Sequence, residues 1–277
     1  MHSDTKIGFI GAGNMAAALI GGLIKDGKNP GRLTAFDPDT AKTGALNKRF
    51  SIQVAEDNAR LMQECHVVVL AVKPQLMRRV LAPLAGAVPQ TPPLIVSIAA
   101  GIRIASIEKW LGRPLAVIRV MPNTPALVGA GAAGLYANER AGDEQRRVAA
   151  DMMQSVGVAV WVENEQQLDT VTGLSGSGPA YFMLFMQAMV EAAVERGLAR
   201  DTAHALVLQT CRGAAELARE SGESLEQLRI NVTSPGGTTE RGLDTMTAAG
   251  IEAILGSAVK AASDRAGELA TTLAGEE

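Results

Sequence analysis

The sequence predicts an α/β protein, with a doubly wound, mainly parallel sheet in the N-terminal part and an all-α domain after it. Short apolar runs, typical of strands buried on both faces, alternate with helical periodicity through roughly the first three fifths of the chain. After Gln166 no convincing strand remains, and Ala-, Leu- and Met-rich stretches recur at helical spacing. We therefore predict two domains, 1–163 and 164–277.

The first domain should contain all the strands and the helices that connect them. Each predicted strand is a short apolar run, and several end in turn signals such as Lys73-Pro74. In chain order, the strands are expected at 6–10, 32–36, near Ile52, 66–72, 94–98, 115–120, 132–136 and 158–162. Capping residues and apolar periodicity predict helices at 15–25, 39–48, from 56–58 onward, 104–111 and 143–156.

The second domain should be a set of helices. Pro179, a favoured first-turn residue, starts a helix over 179–196, and Asp201 is the expected N-cap of the helix over 201–220. Further helices are predicted at 224–230, 239–248 and 251–273. These helices carry more apolar residues than a monomeric bundle of about 110 residues buries, so we expect a dimer rather than a self-sufficient bundle.

Composition excludes several classes of partner. The chain has 277 residues, 3% aromatic side chains and a formal net charge of −3, so no nucleic-acid or membrane partner is expected. Cys65, Cys211 and the three histidines lack metal-ligand spacing, and we expect no metal site. Because no signal peptide precedes the first strand and no stretch reaches the ~18 apolar residues of a membrane span, a cytoplasmic protein is expected.

The glycine turn after the first strand predicts a dinucleotide site. Gly11 lets the chain turn tightly, Gly13 leaves room for a phosphate, and Ala16 lets the helix pack closely on its strand. The helix N-terminus offers unpaired N–H groups to a pyrophosphate. Asp37, at the end of the second strand, is the type of residue that accepts the ribose 2′-OH of NADH. This context predicts a Rossmann domain rather than a simple turn.

Two Ser/Thr/Gly-rich segments precede helices of the second domain. Residues 172–181 read Thr-Gly-Leu-Ser-Gly-Ser-Gly-Pro-Ala-Tyr, and residues 231–239 read Asn-Val-Thr-Ser-Pro-Gly-Gly-Thr-Thr. A loop of this kind at a helix N-terminus presents N–H and hydroxyl groups to a small carboxylate or phosphate. A helix cap would explain one Ser or Thr per loop, but not Ser234, Gly236, Gly237, Thr238 and Thr239 together.

Val-Thr-Ser-Pro-Gly-Gly-Thr-Thr at 232–239 resembles the signature of the pyrroline-5-carboxylate reductases, the last enzymes of proline biosynthesis. Five motifs earlier in the chain are also similar to that family's and occur in the order found in the family: Gly-Ala-Gly-Asn-Met-Ala (11–16), Ala-Val-Lys-Pro (71–74), Ser-Ile-Ala-Ala-Gly (97–101), Met-Pro-Asn-Thr-Pro (121–125) and Gly-Leu-Ser-Gly-Ser-Gly-Pro-Ala-Tyr (173–181). The resemblance implies a Rossmann domain for NAD(P)H and a helical domain that interlocks into a homodimer, often assembled into a ring of dimers such as a homodecamer. One departure is that 221–228 lacks the His-Pro pair often found there.

The resemblance also implies roles for individual residues. It places the cofactor at Gly11, Gly13, Asn14, Met15, Asp37, Asn58, Ala71, Val72, Lys73, Pro74, Pro122, Asn123, Thr124 and Asn231. It places the substrate, 1-pyrroline-5-carboxylate, at Thr172, Ser234, Gly236, Gly237 and Thr238, with Thr239 as the catalytic residue at the ring nitrogen. Each of three residues also has a purely structural interpretation: a solvated charge for Lys73, a helix cap for Asn58 and a turn former for Asn123.

The chemistry agrees with the residues present. A cyclic imine can arrive protonated at nitrogen and accept hydride directly, so no Lys, His or Tyr proton donor is needed. The related β-hydroxyacid dehydrogenases carry a Lys where this chain has Ala180, which argues against a hydroxyacid substrate. Tyr181 is interpreted as a packing residue.

Three alternatives stay open at this point. Asp37 favours NADH, whereas the family resemblance slightly favours NADPH, with Arg32 and Lys42 near enough in sequence to compensate the carboxylate. A related cyclic imine acid, such as the six-membered analogue, could be the substrate, since one methylene changes binding by only ~1 to 3 kcal/mol. A noncatalytic dinucleotide-binding regulator is the third alternative, although it would have little need for the intact 233–239 loop.

Overall fold

One sheet organises the N-terminal part of the chain. In the computed structural model, which describes residues 4–275, the strands are β1 Ile7–Ile10, β2 Leu33–Phe36, β3 Gln53–Val54, β4 Val67–Leu70, β5 Leu94–Ser97, β6 Val117–Met121, β7 Gly131–Ala137 and β8 Gly157–Trp161. Their order is β3-β2-β1-β4-β5-β6-β7-β8, and neighbours are parallel except β6 and β7. Because the chain moves outward from β1 in both directions, the sheet is doubly wound, with a switch point between β1 and β4.

Helices cover both faces of this sheet. The helices of the first part are α1 Asn14–Lys25, α2 Thr40–Phe50, α3 Asn58–Glu64, α4 Met77–Leu81, α5 Ile104–Leu111, α6 Asp143–Gln154 and α7 Gln167–Val171. Side chains of α1, α2 and α6 pack on one face of the sheet, and those of α3, α4 and α5 pack on the other. Strands buried on both faces explain the continuous apolar runs in the sequence, for example Val67–Leu70.

The remaining helices follow β8 and α7. They are α8 Gly178–Glu195, α9 Arg200–Glu220, α10 Leu225–Asn231, α11 Thr238–Ala248 and α12 Ile251–Gly275. The predicted strands and helices are thus all present, with their ends shifted. Two helical segments were not predicted, namely α4 with its flanking 3-10 turns Pro74–Leu76 and Ala82–Ala87, and α7. Asp201 is not the N-cap of α9: Ala199 is, and Asp201 lies in the first turn, where it still favours the helix dipole.

The chain divides into two compact units. Within the described residues, the sheet unit comprises 4–177 and 260–275, and the helical unit comprises 178–259. The predicted boundary at 163/164 lies just after the last strand. The sheet unit extends past it, to residue 177, and also includes 260–275. In the sheet unit, the C-terminal part of α12 packs closely on the sheet's loops, since a Cβ added at Gly101 would lie 3.5 Å from the backbone nitrogen of Ala270.

The helical unit has a very small core of its own. Its hydrophobic cluster contains three buried side chains, Val190, Ala203 and Val207, which come from α8 and α9. Many of its large apolar side chains are exposed instead, and Phe182 is 69% exposed. The others include Met183, Leu184, Leu206, Leu217, Leu225, Ile254 and Leu255. Exposed apolar surface of this extent indicates a subunit interface, as expected from the sequence.

Between residues 4 and 275, no helix combines the length and the apolar character needed to span a membrane.

Candidate functional site

The turn after β1 has the geometry of a phosphate cradle. Gly11 has φ +103°, and a Cβ there would lie 2.6 Å from the Ala71 carbonyl oxygen, so only glycine fits. Gly13 is the N-cap of α1, and apart from the adjacent residues of the chain no heavy atom of the described residues lies within 4 Å of its ideal Cβ position. The backbone at Gly13 is therefore open to a ligand, next to the unpaired N–H groups of Asn14 and Met15.

Other predicted cofactor residues gather at the same edge of the sheet. Because β1, β2 and β4 are parallel, the residues after them, Gly11, Asp37 and Ala71, all lie at the carboxyl edge beside the switch point. Ala71 donates its N–H to the Ile10 carbonyl at 2.8 Å. In the turn Ala71, Val72, Lys73 and Pro74, the lysine is exposed and caps the 3-10 turn that follows.

Asn58 is more than the helix cap that its sequence position suggests. The N-cap of α3 is Asp57, whose Oδ1 accepts the Arg60 N–H at 2.8 Å, and Asn58 is the first residue of the helix. Its Oδ1 is buried and has no hydrogen-bond partner among residues 4–275. A buried oxygen without a donor is costly, so this atom fits a role in accepting a hydrogen bond from a ligand.

Asp37 is engaged with the protein backbone. Its Oδ2 accepts the Ala12 N–H at 3.0 Å, and its Oδ1 accepts the Asp39 N–H at 3.0 Å. Lys42 Nζ lies 3.6 Å from the same carboxylate. Asp37 therefore fixes the shape of the glycine turn. Of the two cations considered from the sequence, Lys42 is close to Asp37, whereas Arg32 precedes β2 at the opposite edge and pairs with Asp4.

The Pro122–Asn123–Thr124 segment follows β6. Asn123 is buried, and its side chain joins two other segments: Nδ2 donates to the Ser175 carbonyl at 2.9 Å, and Oδ1 accepts the Ala132 N–H at 2.9 Å. Both polar atoms of its carboxamide are thus bonded within the protein. Pro122 is buried and Thr124 is exposed at the start of the 3-10 turn Thr124–Val128.

The prediction of a loop at 172–177 is wrong, because residues 172–176 are helical. Thr172–Gly176 form a π-helical turn between α7 and α8, in which Ser177 donates its N–H to the Thr172 carbonyl. The Thr172 and Ser175 hydroxyls donate to the carbonyls of Leu168 and Val171, four residues earlier. A Cβ at Gly176 would lie 2.5 Å from Met121 Cε, so the glycine allows close packing on β6. This segment does not present an open helix N-terminus, although π turns are frequent at functional sites.

The second Ser/Thr/Gly segment does form a loop at a helix N-terminus. Gly236 has φ +70°, Gly237 is the N-cap of α11, and Gly237 donates its N–H to the Ser234 carbonyl at 3.0 Å. The first two helical residues, Thr238 and Thr239, have N–H groups without intrahelical acceptors. Both threonines and Ser234 are exposed. Exposed N–H and hydroxyl donors at a helix N-terminus are the kind of groups that bind a carboxylate.

Two details of this loop were not predicted. The Gly236 N–H is already occupied, since it donates to Glu240 Oε2 at 2.7 Å. Glu240 stands three residues after the N-cap, a spacing typical of a capping box, and this was the signal in the sequence. The Asn231 side chain is engaged within its own helix and the residues before it, with Gln227 Nε2 and Glu223 Oε2 each 2.9 Å away.

A buried charge network in the sheet unit was also missed by the sequence analysis. Arg119 on β6 is buried and donates through Nη1 to Glu165 Oε1 at 3.0 Å, and the same oxygen accepts the Ile104 N–H at 2.8 Å. Arg103 pairs with Asp169 on α7. Burial lowers the pKa of Arg119, and the charge of Glu165 opposes that shift. The network connects β6, the start of α5 and the α7 region.

Both cysteines are free, and they differ in how far they are buried. Cys65 is buried, which raises its pKa to about 11 and keeps the thiol protonated, whereas Cys211 is partly exposed.

Comparisons with known proteins agree with this arrangement. Residues 165–269 match the family model described as pyrroline-5-carboxylate reductase dimerisation, and residues 6–101 match the one described as NADP oxidoreductase, coenzyme F420-dependent. A pyrroline-5-carboxylate reductase from Pseudomonas aeruginosa is 49% identical, over 98% of this chain and 99% of that protein. The chain belongs to the pyrroline-5-carboxylate reductase family.

Solved structures of pyrroline-5-carboxylate reductases have the same fold. The enzyme from Coxiella burnetii has a TM-score of 0.92 at 41% identity, covering 96% of this chain and 98% of that one. The Plasmodium falciparum enzyme, solved with NADP bound, has a TM-score of 0.85 at 30% identity, covering 98% and 100%. The predicted family, fold class and oxidoreductase class are confirmed, and a homo-oligomer is supported by the dimerisation domain.

Proposed function

We propose that the protein reduces the C=N bond of 1-pyrroline-5-carboxylate to give L-proline, the last step of proline biosynthesis, with NADPH or NADH as hydride donor. The observation that carries this proposal is the 234–239 loop, where the exposed Ser234 precedes the first-turn N–H groups of Thr238 and Thr239 at the start of α11. A carboxylate is the natural partner of such donors. The glycine turn after β1, open at Gly13, supports the dinucleotide half of the proposal.

The residues available are sufficient for imine chemistry. A bound reduced nicotinamide would supply the hydride, which goes to the imine carbon, C2 of 1-pyrroline-5-carboxylate. The imine nitrogen arrives protonated, so reduction yields the neutral secondary amine without a proton from the enzyme at that step. The protein's task is to orient the ring, exclude water and balance the iminium charge, which hydroxyl and amide groups can do.

We assign the following roles to the residues of the loop. Ser234 and Thr238 hold the substrate carboxylate through hydroxyl and backbone N–H groups, and Thr239 accepts a hydrogen bond from the iminium N–H. Gly237, predicted as a further donor, instead closes the turn, since its N–H is bonded to the Ser234 carbonyl. We assign Gly236, predicted to contact the substrate, a role in the shape of the loop, since its N–H is already bonded to Glu240. Thr172 contributes through its hydroxyl oxygen, which can still accept a hydrogen bond while donating to Leu168.

The cofactor roles follow the same reasoning. Gly11, Gly13, Asn14 and Met15 hold the pyrophosphate, and Asn58 accepts from the ribose through its buried Oδ1. The Ala71–Pro74 turn and Pro122–Thr124 contribute backbone contacts, with Asn123 acting by holding its segment in place. Asn231 contacts the cofactor ribose after exchanging its present partners, Gln227 and Glu223.

The direct test is oxidation of NAD(P)H by the purified protein with the five- and six-membered cyclic imine acids side by side. We expect turnover of 1-pyrroline-5-carboxylate with a kcat/KM about tenfold or more above that of the six-membered analogue, the effect of one methylene in a fitted pocket. A preference for the larger ring would reassign the substrate. Absence of turnover with both, together with tight dinucleotide binding, would favour a noncatalytic regulator.

We further propose that NADPH is slightly preferred, because the Asp37 carboxylate is committed to Ala12 and Asp39 and is neutralised by Lys42. If so, Asp37→Asn places an amide NH2 against a backbone N–H and loosens the glycine turn. We expect kcat/KM to fall about tenfold for NADPH and NADH alike, the usual effect of losing a charged hydrogen bond. The measurement is steady-state kinetics with each cofactor.

The matched control is Asp39→Asn, because asparagine is an equally good N-cap for α2 and the variant removes one negative charge nearby. It should retain kcat/KM within about threefold for both cofactors. A tenfold change in the NADPH to NADH ratio caused by Asp37→Asn alone would show that Asp37 reads the ribose directly.

The proposal extends to assembly and setting. Dimers form through the helical unit, and further association of dimers gives a ring; the enzyme works in the cytoplasm. The exposed apolar side chains of α8 and α9 support the dimer, and the family resemblance supports the ring and the setting.

A further inference from the structure

We propose that Glu240 is a positioning residue of the substrate loop: by holding the Gly236 N–H, it fixes the loop and directs the substrate carboxylate to Thr238 and Thr239. The inference rests on the proposed function, since it concerns how the same loop binds an acid group. It adds a residue to which neither the motif nor the expected contacts gave a role.

The contact itself is short and charge-assisted. Glu240 Oε2 accepts the Gly236 N–H at 2.7 Å, within the range of the stronger hydrogen bonds in proteins. Glu240 is partly buried, and it lines a groove between α10 and α11 with Arg229 and Thr233. The side chain therefore folds back over the loop and does not extend into solvent.

The loop needs such a restraint. Pro235 is followed by two glycines, and Gly236 adopts φ +70°, a conformation that a flexible Gly-Gly segment would leave often. Among residues 4–275, one bond between backbone groups lies within the 234–239 loop, from the Gly237 N–H to the Ser234 carbonyl. A hydrogen bond to a charged group is stronger than one between neutral groups, so the Glu240 contact favours this one conformation of the loop.

The contact also decides which donors remain for the substrate. With the Gly236 N–H occupied, a bound acid group finds its donors at Thr238 and Thr239, at the positive end of the α11 dipole. Thr239 is also the residue assigned to the ring nitrogen. Fixing the acid group at these two N–H groups therefore fixes the ring as well.

The test compares Glu240→Ala with Glu240→Gln in the full-length protein. We expect Glu240→Ala to raise the KM for 1-pyrroline-5-carboxylate about tenfold, which corresponds to 1.4 kcal/mol, with kcat within about threefold and the KM for NADPH unchanged. Glu240→Gln retains an acceptor oxygen and should recover most of the loss. Asp244→Asn, an exposed acid of the same helix, is the matched control and should behave as the wild type.

Several results would overturn the inference in an otherwise active enzyme. One is an unchanged or lowered KM for 1-pyrroline-5-carboxylate in Glu240→Ala. Another is a KM in Glu240→Gln as high as that in Glu240→Ala, because the effect would then come from the lost charge and not from the lost hydrogen-bond acceptor. If Glu240→Ala fails to fold, amide hydrogen exchange of the wild type decides: the Gly236 amide should be protected without ligand, while those of Thr238 and Thr239 gain protection only with proline. Fast exchange at Gly236 would also overturn it. Failure of the proposed function is distinct, because the wild type itself would then not oxidise NAD(P)H.

Discussion

Replacing Thr239 with alanine is expected to lower kcat for 1-pyrroline-5-carboxylate about 100-fold, the usual effect of removing one hydrogen bond made at the reacting group. Thr239 is the second residue of α11 and is exposed, and among the described residues its hydroxyl has no hydrogen-bond partner. Losing the hydroxyl should therefore remove a contact with the substrate nitrogen while leaving the protein folded. Steady-state kinetics and a thermal melt measure the two effects separately.

Thr239→Ser is the matched control, because serine retains the hydroxyl on nearly the same stem. It should keep kcat within about tenfold of the wild type, far above the alanine variant. A Thr239→Ala enzyme with undiminished turnover would remove the catalytic role from this residue and leave it as a backbone donor only.

Replacing Arg119 with methionine is expected to destabilise the sheet unit by about 3 kcal/mol, because it leaves a partly buried carboxylate without its partner. The Arg119 side chain is 5% exposed, and Glu165, its partner, also accepts the Ile104 N–H. The midpoint of urea unfolding, at fixed protein concentration, measures the effect. Both tryptophans, Trp110 and Trp161, belong to this unit and report on its unfolding by fluorescence.

Arg212→Met provides the comparison for Arg119→Met, since Arg212 forms an exposed ion pair with Glu216 on α9. Surface pairs of this kind contribute about 0 to 1 kcal/mol, so this variant should unfold near the wild-type midpoint. Equal midpoints for the two variants would mean that the Arg119 pair adds no more than a surface contact, in contradiction to its burial.

The elements that the sequence predicted well are those with strong local signals. The strand at Val67–Leu70 is a continuous apolar run, and the turn at Gly11 combines a strand, two glycines and a helix start. Weaker signals failed elsewhere. The 172–177 segment, rich in Gly and Ser, was expected to be a loop, but Thr172–Gly176 form a π-helical turn in which Gly176 packs close to Met121. The short helices α4 and α7 were not predicted at all.

Site residues were predicted by type, and the structure divides them by what their side chains touch. Asp37 and Asn123 have the chemistry of cofactor ligands, yet each bonds to a backbone group of a distant segment, Asp37 to Ala12 and Asn123 to Ser175. Asn58 was a candidate for a simple cap, yet its Oδ1 is buried without a donor among the described residues. Only contacts between residues far apart in sequence distinguish these cases.

The sequence alone determined the order of strands and helices, the dinucleotide turn and the family, since each depends on neighbouring residues or on a motif. The tertiary structure decided which polar groups remain free to bind a ligand. That decision depends on long-range hydrogen bonds, such as those of Asp37 with Ala12 and of Arg119 with Glu165. A donor or acceptor can satisfy a buried partner or a ligand, and only the folded chain shows which partner is within reach.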